Sequence, residues 1–164
     1  MCVSTHPHIF NNTTMSIQAN LNEVLATLPS HVQLVAVSKF HPIEALQEAY
    51  DAGQRIFGES KVQEMTQKYE ALPKDIAWHF IGHLQTNKVK QVVGKVDLIQ
   101  SVDRLKLLQC IQDEAQKQSI VQDILLEINI GEEESKSGFG IADILPLVEK
   151  MSDFPNVRLR GLMA

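Results

Sequence analysis

From Leu34 onward, short apolar runs alternate with stretches whose apolar residues recur every three or four positions. Runs of the first kind suit strands covered on both faces; spacing of the second kind suits helices with one apolar stripe. The runs occupy residues 34–40, 55–59, 76–82, 96–100, 123–130 and 157–162. Between them lie Ile43, Leu46 and Tyr50; Val62, Met65, Tyr69 and Leu72; Val89, Val92 and Val93; Leu105, Leu108, Ile111 and Ala115; and Ile144, Leu147, Val148 and Met151. Such alternation, with no linker or low-complexity stretch, predicts an α/β domain around a parallel sheet. Two architectures satisfy it. One is an open doubly wound sheet, for which 164 residues suffice. The other is a (β/α)₈ barrel, which takes about 250 residues. No Gly-x-Gly-x-x-Gly follows the first strand and no Walker lysine loop is present. The pattern alone leaves both open.

A further helix is expected before the first strand, with Ile17, Leu21, Val24, Leu25 and Leu28 on one face and Pro29 closing it. Candidate N-caps of later helices are Ser60, then Ser101 or Asp103, then Asp143, with Pro146 expected in the first turn of the last helix. Residues 1–15 show no period and are expected to be a loose tail ahead of a domain at 16–164, with Met15 a candidate start. His6 and His8 flank a proline there, which is too little to define a metal site. A net charge of −5 without a basic stripe argues against nucleic acid. No apolar run approaches the roughly 18 residues of a membrane span. Cys2 and Cys110 fit no disulfide or metal spacing, so a reducing cytoplasm is the expected setting.

The chemistry-bearing residue is Lys39. It ends the first apolar run, and His41-Pro42 opens the following helix, proline suiting a first turn. A lysine where a strand hands over to its helix lies at the C-terminal rim of a barrel, where function collects. Apolar surroundings would favour its neutral form, a nucleophile toward aldehydes. The plainer reading is a solvated lysine with no role.

Several segments together resemble the pyridoxal phosphate homeostasis proteins, which share the fold of the alanine racemase N-terminal domain. They are Val35-Ala36-Val37-Ser38-Lys39, Phe57-Gly58-Glu59-Ser60-Lys61-Val62-Gln63-Glu64, Trp78-His79-Phe80-Ile81-Gly82-His83-Leu84-Gln85-Thr86-Asn87-Lys88, Ser101-Val102-Asp103-Arg104, Asn129-Ile130-Gly131 with Ser135-Lys136-Ser137-Gly138, and Leu159-Arg160-Gly161-Leu162-Met163-Ala164. The resemblance implies a (β/α)₈ barrel binding pyridoxal phosphate as a Schiff base on Lys39, acting in intracellular cofactor supply rather than robust catalysis. Cofactor-requiring apoenzymes are the implied partners. Two positions depart from the family: Ser60 stands where asparagine is usual, and His83 where proline is common. Family members also continue through two more strand–helix units that hold the cofactor phosphate. The chain is therefore expected to be a truncated or fragmentary barrel of six strands, with open edges at the first and sixth.

His79 has the spacing to point into the barrel beside the Lys39 strand, or to pack in the core. Asn129 lies near the end of the fifth strand and either meets the cofactor ring or caps its own loop. Met163 either faces the ring or is core. Glu132, Glu133 and Glu134 read as a solvated loop, and Lys88, Lys90 and Lys95 as a solubilising face. Two alternatives accompany the carrier reading. A racemase-type enzyme would need an acid/base on the opposite ring face, and Tyr50 and Tyr69 both fall on packed helix faces. A fragment with no cofactor is the other.

Overall fold

The computed structural model describes residues 16–131 and 137–164. The expected tail at 1–15, with His6, His8 and Met15, and the Glu132–Glu134 stretch lie outside the described residues. The chain runs α1 (Ile17–Thr27), β1 (Ala36–Val37), α2 (Ile43–Asp51), β2 (Ile56–Glu59), α3 (Val62–Ala71), β3 (Ala77–Phe80), a 3₁₀ helix at Thr86–Gln91, β4 (Leu98–Val102), α4 (Leu105–Lys117), β5 (Gln122–Glu127), α5 (Ile141–Glu149) and β6 (Val157–Met163). A second 3₁₀ turn, Met151–Asp153, joins the last two.

The six strands form one sheet in the order β1-β2-β3-β4-β5-β6, and every neighbouring pair is parallel. A doubly wound sheet reverses its strand order at a switch point. This order never reverses, so right-handed crossovers lay the helices on one face. The sheet is therefore an arc of a (β/α) barrel, which settles the choice that pattern left open. β1 and β6 are its two edges.

Parallel register sorts the strand residues into two faces. Phe57, Trp78, Phe80, Ile99, Ile124 and Leu126 turn toward the helices and are buried, meeting Leu46, Met65, Leu107, Leu108 and Ile111. Each fully buried side chain of this size contributes about 1.5–3 kcal/mol. The opposite, concave face carries one layer in register: Val37, Gly58, His79, Leu98, Asp123 and Arg158. All strands run the same way, so their C-terminal ends share one rim.

The structure corrects several expectations. The run at 34–40 pairs only at Ala36 and Val37 and is not covered on both faces: Val37 is 48% exposed. An edge strand with one neighbour has its inward side chains open, which apolarity alone does not reveal. Ser60 is not a cap; α3 starts one residue later behind Lys61, which makes no side-chain cap bond. Neither Ser101 nor Asp103 caps α4: Ser101 is in β4, and the Asp103 carboxylate pairs with His83 and Arg104. Gly140 rather than Asp143 precedes α5, so Pro146 falls in the second turn. Ser16 does open the described part as a cap, its Oγ accepting from the Ala19 N–H at 3.2 Å.

Candidate functional site

Lys39 lies just past β1, in a tight turn at the C-terminal rim. The turn is held from below. Ser38 N–H donates to the Gly58 carbonyl (2.9 Å), and His41 N–H donates back to the Ser38 carbonyl (3.1 Å). Between them Phe40 adopts a left-handed backbone, φ 66°, unusual for a bulky residue. Its N–H donates to Glu64 Oε2 of α3 at 2.9 Å. That bond, with Lys68 and Lys61 helping and desolvation opposing, holds the Glu64 carboxyl below the ordinary carboxylate range. Lys39 is itself exposed, so this arc does not supply the apolar surroundings expected of it.

Beneath the turn is a buried ionic cluster. Glu59 ends β2 on the helix side of the sheet and is 0% exposed; Lys68 of α3 is 5% exposed. Lys68 Nζ donates to Glu59 Oε1 at 2.6 Å and to the Ser38 carbonyl at 2.8 Å. Ser38 Oγ donates to the same Glu59 oxygen at 2.7 Å. Glu64 Oε2 lies 3.5 Å from Lys68 Nζ. Sequence reasoning passed over this cluster. The available signal was Lys68 itself, a lysine three residues after Met65 and four before Leu72, on the buried arc of α3.

His79 lies one layer deeper, on the concave face and half-buried, one of the two placements the sequence left open. Its Nδ1 is 2.8 Å from Gln100 Nε2 on β4. The amide nitrogen donates, so in the neutral ring Nδ1 accepts and the proton sits on Nε2. Burial lowers the His79 pKa against a weaker opposing pull from Asp97. Burial thus favours the uncharged ring on this concave-face residue.

Asn129 lies two residues beyond β5, where the chain makes a bridge between Ile128 and Phe139. Asn129 N–H donates to the Phe139 carbonyl at 3.0 Å. Gly138 permits this: its φ is +124°, and a Cβ there would lie 2.6 Å from the Asn129 nitrogen. Asn129 lines a rim cavity of about 340 Å³ with Glu127, Ile130, Ser137 and Ala164. The neighbouring carboxylates interact. Burial and the Asp103 charge push the Glu127 carboxyl up, and His83 opposes them. His83 Nδ1 stands 3.1 Å from Asp103 Oδ2. Met163 is partly buried and in register with Glu127, and its carbonyl accepts from Ile128 N–H at 2.8 Å.

Lys39, His79 and Asn129 thus lie toward the C-terminal ends of the strands, just past β1, on β3 and two residues after β5. Tyr50 and Tyr69 pack against the core from α2 and α3, off the concave face. Among the described residues, no group of three His, Cys, Asp or Glu side chains is placed to hold a metal, and no helix is long and apolar enough to cross a membrane.

A single-wound parallel arc with its helices on one face defines the chain as a (β/α)-barrel-type domain. The chain belongs to the alanine racemase N-terminal domain family, whose profile matches residues 13–164. Its relatives there include the pyridoxal phosphate homeostasis protein of Aquifex aeolicus, 48% identical over 132 residues, covering 80% of this chain and 58% of that protein. The protein of the same name from Escherichia coli (strain K12) is 40% identical over 140 residues, covering 83% of this chain and 60% of that one. Among solved structures, PipY of Synechococcus elongatus without pyridoxal phosphate superposes with a TM-score of 0.85 at 38% identity, over 90% of this chain and 69% of that one. The same protein with pyridoxal phosphate bound gives a TM-score of 0.81 at 37% identity, over the same shares. Alanine racemase of Clostridium difficile 630 shares the fold, with a TM-score of 0.74 at 12% identity.

Proposed function

We propose that residues 16–164 form a unit that binds pyridoxal phosphate through Lys39 and serves intracellular supply of that cofactor, in the cytoplasm, to enzymes that require it. The observation that carries the reading is the lysine turn: an exposed primary amine at the strand-end rim, on a backbone held by Ser38, Glu64 and Lys68. The amine would add to the cofactor's aldehyde and lose water, giving a Schiff base; when bound, the cofactor supplies an electron-accepting ring. His79 would offer an N–H donor from the concave face and Asn129 a polar group at the rim cavity. The relatives' printed names and the cofactor-bound PipY structure support this ligand class. A supply role rather than racemisation is favoured by Tyr50 and Tyr69, both committed to helix packing.

The test is to add pyridoxal phosphate to the purified chain, record the visible imine band, reduce with borohydride and locate the pyridoxyl group by mass spectrometry. The expected adduct is on Lys39 and is absent from Lys39→Ala. An adduct on another side chain, or none, refutes the reading.

A further inference from the structure

Lys39 rides on a turn behind a strand that pairs at only two residues, the pairing continued by one bond, from Ser38 N–H to the Gly58 carbonyl. The turn nevertheless contains a left-handed Phe40, a residue 69% exposed and packed into no core. A bulky residue holds that conformation only when its surroundings impose it. Three side chains do so, from Lys61 just before α3, Glu64 in its first turn and Lys68 in its last. Glu64 takes the Phe40 N–H. Lys61 Nζ lies 4.4 Å above the Phe40 ring centre and 3.7 Å from Glu64 Oε1. Lys68 takes the Ser38 carbonyl, one residue before the lysine.

We propose that Glu64 is a positioning residue for Lys39. Its carboxylate locks Phe40 in the left-handed region and so fixes the backbone that presents the amine. This deepens the reading of Lys39 as the cofactor-binding residue and rests on it for its functional consequence. The structural part stands alone: α3 sets the shape of the β1–α2 turn. Glu64 touches no reacting atom in this scheme. It works through one backbone N–H, and any side chain offering an acceptor at the same place would serve in part.

The experiment compares the 164-residue chain with Glu64→Ala, Glu64→Gln and the double variant Glu64→Ala/Phe40→Asn. Asparagine tolerates the left-handed region without glycine's added freedom. The first readout is hydrogen exchange at the His41 amide, whose bond to Ser38 closes the turn and which Glu64 does not itself contact. Glu64→Ala should exchange there roughly ten-fold faster, as expected for losing a charge-assisted hydrogen bond. Glu64→Gln should fall between, and Phe40→Asn should restore most of the protection. The second readout is the rate of borohydride-trapped adduct at Lys39 with pyridoxal phosphate as the probe, which should follow the same order. Unchanged His41 exchange in Glu64→Ala, or no rescue by Phe40→Asn, overturns the inference. A parent chain that traps nothing at Lys39 refutes the cofactor reading instead, while the exchange order still decides the role of Glu64.

Discussion

Replacing Lys68 by methionine should destabilise the fold more than any other single lysine change. Methionine keeps an apolar stem of similar length and removes the ammonium, with its charge and its two hydrogen bonds. Glu59 then keeps one donor, Ser38 Oγ at 2.7 Å, while its second oxygen already has no hydrogen-bond partner among the described residues. A carboxylate 0% exposed would be left without its cation. Breaking a buried pair from one side costs about 3–5 kcal/mol. In a chain of this size, that lowers the melting temperature by roughly 6–20 °C. The double variant Glu59→Met/Lys68→Met should recover much of the loss. Ser38 Oγ can turn to the Gly58 carbonyl at 3.2 Å, and the Ser38 carbonyl keeps the His41 N–H. Urea unfolding followed by the single tryptophan, Trp78, buried at 1% exposure, reads both variants. A loss under about 1 kcal/mol for Lys68→Met would place the pair among solvent-screened surface bridges. A double variant no more stable than the single would show that the charge imbalance is not the cause. Either result refutes the argument.

Other outcomes follow from the same geometry. Gly82→Ala should cost about 3 kcal/mol in urea melts, since its Cβ would lie 2.2 Å from the Ser60 carbonyl oxygen, a backbone atom that cannot swing aside. Burial lowers the folded His79 pKa below its ordinary 6.5, so the unfolded chain takes up that proton first on acidification. The His79 contribution is then full above about pH 6.5 and lost as pH falls through the lowered folded value, and His79→Gln should flatten that part of the stability–pH curve. Glu127 has the opposite sign. Its raised folded pKa gives a contribution that is full below the ordinary glutamate value and lost as pH rises through the folded one. Glu127→Gln should therefore gain stability relative to the parent at pH 7 but not at pH 4, measured by paired thermal melts.

Much of this was legible in the residues, for physical reasons. Strands such as residues 76–82 announce themselves by apolar residues on the face that the helices cover, and Trp78 and Phe80 do lie in the core. The direction of His79 was narrowed to two, barrel interior or packed core, because strand parity allows only two, and the sequence did not choose between them. Its partner Gln100 was missed, although a polar side chain in the run at 96–100 carried the same signal. Two candidate caps misled because the side chain had another partner in space, and Ser101 Oγ donates to the Gly82 carbonyl. Asp103 serves His83 and Arg104 rather than the first turn of α4. Ser60 has its carbonyl against Gly82, a long-range contact no local pattern encodes. The extent of β1 was overread because apolarity reports what a strand can bury, not whether a neighbour stands on its far side.

That short β1 bears on when the amine is available. Ladder bonds at two residues make the first strand the most easily frayed part of the sheet. Local opening there would swing Lys39 without disturbing the core under Trp78. Reactivity toward an aldehyde should therefore track the tightness of one corner rather than the melting point of the whole. Any contact that zips a strand along the outer side of Ala36–Val37 would quiet that corner and sharpen the lysine's aim, with no new atom touching the lysine itself.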